Sequence, residues 1–225
     1  MDAKLIDSMG TDVSVVNAAR VSFGKKVNEL TDKDVKLINY LAEHNHFTPF
    51  THCTATFHVK CPIFVRGQLA KHTVGLSMNE VSRRYVDSSP ETWAPTYGWR
   101  GRAANKKQGS TDELLEGKLE EHVNGVYAMA LRAAEQAYAQ MLEYGVCPEQ
   151  ARAVLPQAAY TEFYWTGSLY AFARVYKLRS SPDAQFESRE IAEAIHKGMS
   201  RLWPYSWLAL TGRTVDDGRS CTGLD

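Results

Sequence analysis

Residues 54–69 read TATFHVKCPIFVRGQL, and this stretch contains two different hydrophobic patterns. From Thr54 to Lys60 apolar side chains alternate with polar ones, which is typical of a strand buried on one face. After Pro62 the run from Ile63 to Leu69 is mostly apolar, and a proline suits the first turn of a helix. The stretch therefore predicts a strand that leads directly into a helix.

Helical patterns occur on both sides of this strand. Apolar residues recur at steps of three and four over 35–42 and, for many turns, over 111–144. The remaining pattern predicts an extended segment over 156–165 and helices over 166–178 and 184–203. Together these elements predict an α+β fold with a central antiparallel or mixed sheet flanked by long helices.

The composition is that of a folded protein without a strong net charge. The 225 residues are 44% hydrophobic and 23% charged, and 26 basic residues balance 26 acidic ones. The apolar content argues against intrinsic disorder, and the zero net charge argues against general attraction to nucleic acid. We expect a single domain over 1–225, with a mobile loop over 88–109 because that segment is rich in Pro and Gly.

Neither the N-terminus nor the cysteines indicate secretion. The first residues, MDAKLID, place a carboxylate before any apolar run, and no stretch is long and apolar enough to span a bilayer. The cysteines lack CxxC spacing, so we expect reduced thiols and a cytoplasmic location. Cys53 and Cys61 are predicted to be core or strand-end residues, Cys147 to be a small apolar plug, and Cys221 to lie in a polar tail.

The run over 68–85 is dense in polar groups although it follows an apolar segment. Glu80, Ser82 and Arg84 alternate, so in an extended segment their side chains would project to one face. A hydroxyl beside a forked guanidinium suits a phosphate group. A solvated edge strand is the alternative interpretation.

Two further arginines occupy defined positions. Arg152 lies in a short helical turn before Pro156, and Arg179 ends a predicted helix just before the turn at 180–182. A cation at a helix C-terminus is favoured by the helix dipole, which gives Arg179 a purely structural interpretation. The abrupt turn equally fits a side chain aimed into a cleft.

Four histidines, His44, His46, His52 and His58, are close enough in sequence to raise the question of a metal site. Their spacing matches no zinc signature. We therefore expect no metal, and imidazoles that hydrogen-bond to backbone or ligand.

Several ordered segments of the chain closely resemble the flavin-dependent thymidylate synthases. The most specific is KHTVGLSMNEVSRR at 71–84, where that family has Arg-His-Arg, a short spacer and Ser-x-Asn-Glu-x-Ser-x-Arg. The others are AARVSF at 18–23, HFTPFTH at 46–52, FHVKCPIFV at 57–65, RAVLP at 152–156, LR at 178–179 and AQFE at 184–187.

The chain also departs from the pattern of that family. Lys71 and Thr73 stand at the two arginine positions of Arg-His-Arg, and the spacer over 72–79 is one residue longer. Thr51 stands where an acidic residue is common, and Asp183 where a histidine is common. The triplet belongs to the cofactor side of the resemblance, whereas the substrate-side residues are intact.

The resemblance implies a homotetramer whose active sites lie between subunits and hold FAD. NADPH would reduce the flavin, methylenetetrahydrofolate would supply the one-carbon unit, and dUMP would become dTMP. The partners implied are these small molecules and copies of the same chain, with no nucleic acid and no membrane.

The resemblance also implies which residues form the site. Arg179 would be the catalytic residue, because a guanidinium facing the uracil would favour ionisation at N3 and make C5 more nucleophilic. The residues implied to bind dUMP are Gln68, Lys71, Glu80, Ser82, Arg84, Arg152 and Arg179. Those implied to bind FAD are Ser22, His46, Thr48, Lys71, His72, Thr73, Glu80, Ser168, Leu169, Tyr170 and Arg174.

Two other functions remain open at this point. The chain could transfer a different one-carbon group, such as a hydroxymethyl group, to dUMP. Alternatively it could be a non-catalytic nucleotide-binding or RNA-binding module that uses the basic segment 100–107.

Overall fold

The structure is a computed structural model that describes residues 1–104 and 109–214. Short 3₁₀ turns cover Val21–Phe23, Thr48–His52 and Arg152–Val154. The strands are β1 (Asp2–Met9), β2 (Thr54–Pro62), β3 (Leu76–Glu80), β4 (Arg100–Arg102), β5 (Ser110–Leu114) and β6 (Tyr160–Ser168). The helices are α1 (Asp12–Arg20), α2 (Asp32–Glu43), α3 (Ile63–Leu69), α4 (Gly117–Glu143), α5 (Pro148–Ala151), α6 (Leu169–Arg179), α7 (Phe186–Leu202) and α8 (Pro204–Thr211).

Four of the strands form the central sheet, in the order β1-β2-β6-β3. The strands β3 and β6 run antiparallel. The backbone N–H of Ser168 donates to the carbonyl of Gly75 at 3.2 Å, and that of Val81 donates to the carbonyl of Glu162 at 2.9 Å. The residue numbers of such pairs rise on one strand as they fall on the other. The predicted α+β class with a central antiparallel sheet is therefore confirmed.

The chain divides into two compact units. The first unit comprises 1–59, 68–79 and the chain from Phe163 onward, and the second unit comprises 60–67 and 80–162. The strands β2, β3 and β6 and the helix α3 contribute residues to both units. The single domain expected over 1–225 stays a prediction.

The core of the first unit is built on the helix α7, whose predicted apolar face is buried. Ile191, Ile195 and Met199 are fully buried along this helix. A Cβ atom on Gly198 would lie 3.0 Å from Cε1 of Phe57, so the glycine lets the helix approach β2 closely. The helix α7 and the strand β2 therefore pack together in one core, and each has the spacing of apolar residues from which it was predicted.

The second unit contains an aromatic group that packs against α4. Phe64 and Trp93 have ring centroids 5.1 Å apart, and Trp99 and Tyr127 have ring centroids 5.0 Å apart. The indole N–H of Trp99 also donates to Oδ1 of Asn124 at 2.8 Å. Such edge-to-face pairs stabilise beyond their buried area. The segment predicted as a loop over 88–109 is therefore tied to the long helix by its two tryptophans.

Two boundary predictions in this unit are wrong. The helix predicted from Thr111 begins at Gly117, because 110–114 is the strand β5 and pairs antiparallel with β4. The backbone N–H of Leu115 donates to the carbonyl of Trp99 at 2.7 Å, so it is not available to a helix. The predicted loop over 88–109 correspondingly contains the strand β4. Residues 105–108, which include two lysines of the basic segment, lie outside the described residues.

The chain over 80–84, where alternating side chains would share one face if it were extended, is not a continuous strand. The strand β3 ends at Glu80. The carbonyl of Ser82 then accepts from the N–H groups of Tyr85 at 3.0 Å and Val86 at 3.2 Å, which curls the chain into a turn. Arg84 lies within this turn, so Glu80, Ser82 and Arg84 do not share one face of a strand.

No helix within 1–104 or 109–214 is both long enough and apolar enough to cross a membrane.

Candidate active site

Arg179 is the centre of a polar cluster in the first unit. It is the last residue of α6 and is half-buried. Its Nε donates to Nε2 of His72 at 2.9 Å, its Nη1 donates to Oε1 of Gln68 at 3.3 Å, and its Nη2 donates to the carbonyl of Gln68 at 3.0 Å. Two residues that are far from Arg179 in sequence therefore hold the whole guanidinium plane.

The hydrogen bond from Arg179 fixes the protonation state of His72. A guanidinium only donates, so Nε2 of His72 must accept, and the ring must be neutral with its proton on Nδ1. Burial lowers the pKa of His72 below its ordinary value, and the positive charges of Arg179 and Arg174 lower it further. Geometry and electrostatics thus agree on a neutral imidazole.

Arg179 has no carboxylate partner among residues 1–104 and 109–214. Within the part of the chain that the structure describes, its three hydrogen bonds go to an imidazole, an amide oxygen and a carbonyl, and none goes to a carboxylate. Burial lowers the pKa of the guanidinium from its ordinary value, yet an arginine stays charged at neutral pH. A rigid, uncompensated positive charge of this kind can stabilise negative charge on a bound ligand.

A second layer of side chains lies behind Gln68 in the same unit. Nε2 of Gln68 donates to Oε1 of Gln185, and Nε2 of Gln185 donates to Oε2 of Glu187 at 2.9 Å. The hydroxyl of Ser188 donates to Oε1 of Gln68 at 3.4 Å. The resemblance implies no role for these three residues. Their only signal in the sequence is the segment AQFE at 184–187, which matches the family pattern.

A turn within the 72–79 spacer lies against the start of α6. Gly75 has φ +75°, a conformation that L side chains rarely adopt, and a Cβ there would lie 3.1 Å from Cβ of Ala171. Ser168 caps the helix, because its Oγ accepts from the N–H of Ala171 at 3.2 Å. The spacer therefore packs directly against the N-terminus of α6.

The cofactor-side residues of the first unit include two cations. Lys71 and Arg174 are exposed, and neither has a hydrogen-bond or ion-pair partner within 1–104 and 109–214. Unpaired cations suit the diphosphate of a dinucleotide such as FAD. Tyr170 stacks on Phe47 with ring centroids 5.2 Å apart; Phe47 is exposed and Tyr170 is half-buried, and such a pair suits a planar ring.

The other cofactor-side residues differ in accessibility. Leu169 is fully buried, and its N–H donates to the carbonyl of Cys53 at 2.8 Å, so its side chain and amide are already used within the fold. The remaining members are exposed at Ser22, His46, Thr48 and Thr73. Their predicted contacts with FAD stay predictions.

In the second unit, Glu80 forms a separate ionic cluster. Its Oε2 lies 2.5 Å from Nη2 of Arg66, and its Oε1 accepts from the hydroxyl of Thr161 at 2.8 Å. Arg66 is not among the site residues that the resemblance implies. A single charge inside the mostly apolar run over 63–69 was the signal for a partner.

Ser82, Arg84 and Arg152 also lie in the second unit. Nε of Arg84 donates to Oγ of Ser82 at 3.5 Å, and Nε of Arg152 donates to the carbonyl of Glu149 at 3.1 Å. Both arginines are exposed, and in the described ranges neither forms an ion pair. Their terminal nitrogens can therefore bind an anion such as a phosphate.

The remaining reactive groups of the described residues are the potential metal ligands and the thiols. No group of three or more His, Cys, Asp or Glu side chains within 1–104 and 109–214 could hold a metal ion. Burial raises the pKa of Cys53 to about 11 and that of Cys61 to about 12. Cys147 precedes α5 and is exposed, so its prediction as an apolar plug is wrong. Cys221 lies outside the described residues.

Comparison with known proteins gives matches over most of the chain. Residues 4–205 match the family described as thymidylate synthase complementing protein. The chain is 38% identical over 204 residues to a flavin-dependent thymidylate synthase of Thermosipho melanesiensis, with 91% of this chain and 87% of that protein covered. It is 39% identical over 206 residues to another from Thermus thermophilus, with 92% and 74% covered.

A solved structure shares the fold. The UMP/dUMP methylase PolB from Streptomyces cacaoi, crystallised with 5-Br dUMP, superposes with a TM-score of 0.83 at 30% sequence identity. The match covers 93% of this chain and 94% of that one.

Proposed function

Because the chain belongs to the flavin-dependent thymidylate synthase family, we propose that it methylates dUMP reductively to dTMP with the help of FAD. Further parts of the proposal are methylenetetrahydrofolate as the one-carbon donor and NADPH as the reductant. A homotetramer with active sites between subunits and a cytoplasmic location complete it. These further parts rest on the resemblance of the sequence segments.

The uncompensated charge of Arg179 is the observation that carries the proposal. Methylation at C5 of uracil requires electron density on a ring carbon, and loss of the N3 proton supplies it. A guanidinium held by His72 and Gln68 would stabilise the resulting negative charge without having to reorient. Arg179 would therefore bind the reacting ring more tightly as its charge develops.

The phosphate of dUMP requires a different kind of group, one that binds equally in every state of the reaction. Arg84 and Arg152 are exposed guanidinium groups, and Ser82 offers a hydroxyl to the same ligand. In the first unit, Gln68 is the further residue that the resemblance implies for dUMP binding. The resemblance also implies Lys71 and Glu80 as dUMP contacts. Glu80, however, already contacts Arg66 and Thr161. We therefore assign Glu80 the role of orienting Arg66 in the second unit.

For the cofactor, the unpaired cations Lys71 and Arg174 would hold the diphosphate of FAD. When bound, the flavin supplies the hydride that reduces the transferred carbon to a methyl group. Tyr170 and Phe47 offer an aromatic surface to one of its rings.

The first experiment is the assay of Arg179→Ala for NADPH-dependent dTMP formation. We expect turnover to fall by roughly 100- to 1,000-fold, the usual effect of removing one preorganised donor from an active site. FAD content should change little, and the variant should remain folded. Arg201→Ala, an exposed arginine of the first unit, is the matched control. Turnover of Arg179→Ala within threefold of wild type would rule out this role.

The same assay separates the alternative functions. Mass analysis of the product distinguishes a methyl from a hydroxymethyl group. UMP is included as a substrate because the solved relative is named a methylase of both nucleotides. A purified protein without flavin absorbance, or without any nucleotide product, would favour the non-catalytic binding module.

A further inference from the structure

A continuous line of hydrogen bonds in the first unit connects a buried carboxylate to Arg179. It runs from Glu187 through the side-chain amides of Gln185 and Gln68 to Nη1 of Arg179. Glu187 is only 5% exposed and lies in the first turn of α7. Three separate segments of the chain therefore supply one line of side chains.

The two ends of this line determine the orientation of everything between them. The carboxylate of Glu187 only accepts, so the NH₂ group of Gln185 must face it. The oxygen of Gln185 must then face Gln68, whose own NH₂ group donates to it. This leaves the oxygen of Gln68 for Arg179, which only donates. The hydroxyl of Ser188 donates to the same oxygen at 3.4 Å and supports the same orientation.

The arrangement also keeps the charge of Arg179 available. A direct carboxylate partner would neutralise the guanidinium and compete with an anionic ligand. Here the negative charge of Glu187 is separated from Arg179 by two neutral amides whose dipoles are aligned. Hydrogen bonds in such a line polarise one another, so the carboxylate strengthens the hold on Arg179 without contacting it.

We propose that Gln185 and Glu187 are positioning residues. They act through Gln68 on Arg179, the residue proposed to face the uracil. Glu187 fixes which end of the Gln185 amide faces it, and Gln185 in turn fixes the orientation of the Gln68 amide. This inference rests on the proposed function of Arg179, but it concerns residues to which neither the resemblance nor the comparisons assign a role.

The test uses the full-length, FAD-loaded enzyme and begins with Gln185→Leu, which breaks the line at its middle. We expect kcat/KM for dUMP to fall by roughly 5- to 30-fold, since the amide of Gln68 loses its fixed partner. Binding of dUMP to the oxidised enzyme, measured by calorimetry, should weaken in parallel. FAD content and the rate of flavin reduction by NADPH should stay within twofold of wild type. Gln140→Leu, on the exposed surface of α4, is the matched control.

A pair of isosteric variants tests the orientation itself. Gln185→Glu places a second carboxylate against Glu187, and their repulsion should reduce dUMP affinity. Combining it with Glu187→Gln places an amide at 187 that donates to a carboxylate at 185, which can still accept from Gln68. We expect this double variant to recover dUMP affinity and kcat/KM to within about threefold of wild type.

The outcomes separate this inference from the proposed function. Wild-type behaviour of a folded Gln185→Leu, or a double variant as poor as Gln185→Glu alone, overturns the positioning role. A parallel loss of FAD content, flavin reduction and thermal stability would show a merely structural role and overturns it equally. If Gln185→Leu fails to fold, the comparison of the double variant with Gln185→Glu decides the question. Failure of the proposed function would show independently, as undiminished turnover of Arg179→Ala.

Discussion

Nε of Arg179 donates to Nε2 of His72 at 2.9 Å, so the central guanidinium depends on an imidazole that must stay neutral. The pKa of His72 is lowered by burial and by the charges of Arg179 and Arg174. The contribution of this contact to stability is therefore complete above the ordinary value of 6.5 and is lost as the pH falls through the lower pKa of the folded state.

The first prediction concerns the acid limb of the activity. We expect kcat/KM for dUMP to be constant from neutral pH down to below 6.5 and to fall once His72 becomes protonated. His72→Gln should move or remove this limb, because an amide oxygen accepts from Arg179 and does not titrate. The pH profiles of the two proteins provide the measurement. Superimposable profiles would exclude His72 as the group responsible.

Arg152→Ala should affect binding of dUMP more than turnover. A phosphate contact is made equally in the ground and transition states, so its loss raises KM and changes kcat less. Steady-state kinetics with varied dUMP separates the two parameters. The reverse pattern, a collapse of kcat at constant KM, would place Arg152 in the chemical step.

Thr73→Arg should tighten the binding of FAD. Thr73 is exposed and uncharged, and it stands where the resembling family has an arginine. A guanidinium at this position would add a forked donor for a phosphate beside Lys71 and Arg174. Titration of the apoprotein with FAD at two salt concentrations measures the change, and an unchanged or weaker affinity would contradict it.

Replacing Cys53, Cys61 or Cys147 singly by Ser should leave dTMP formation nearly intact. Cys53 and Cys61 are buried with pKa values of about 11 and about 12, so they stay protonated and unreactive at neutral pH. Cys147 is exposed but is not needed if hydride transfer and charge stabilisation carry the reaction. A folded Cys147→Ser that retains FAD and dUMP yet makes no dTMP would reveal a thiol-based mechanism.

Gly167→Ala should destabilise the protein by about 1–3 kcal/mol, the usual range for overpacking. A Cβ at this position would lie 2.3 Å from Cδ2 of Leu76 and 3.0 Å from the carbonyl oxygen of Gly75. Gly125→Ala on α4 is the matched control, because no atom lies within 4 Å of its Cβ and alanine favours a helix. Urea unfolding of both variants measures the difference. Equal free energies of unfolding for the two variants would mean that the turn at Gly75 shifts to make room for the added methyl group.

Local patterns in the sequence predicted those parts of the fold that depend on local periodicity. The strand β2 and the helices α2, α6 and α7 follow from the spacing of their own apolar residues. The strands β4 and β5 were missed because they are short and polar, and their pairing joins segments that are separated in sequence. The turn after Glu80 was missed because the alternation of side chains does not reveal that Ser82 closes it.

The resemblance named residues of the candidate site but not the connections between them. Resemblance identified Gln68, His72 and Arg179, which the structure places in direct contact. It gave no role to Gln185 and Glu187, because an amide line can be recognised only when distant segments are brought together. The orientation of each amide is a property of the whole line and is not encoded at any one position.

Arg179 has no carboxylate partner among the described residues, and this would also affect the lifetime of the enzyme in a cell. Partial burial of a guanidinium without a carboxylate costs the free protein conformational stability, and a bound anionic nucleotide returns it. Bound dUMP would thus stabilise the folded enzyme. Enzyme without dUMP would be degraded faster than enzyme with dUMP bound. An acidic residue paired with Arg179 would make the protein more stable, but it would neutralise the charge on which the proposed reaction depends. Stability and activity are therefore opposed at this one side chain.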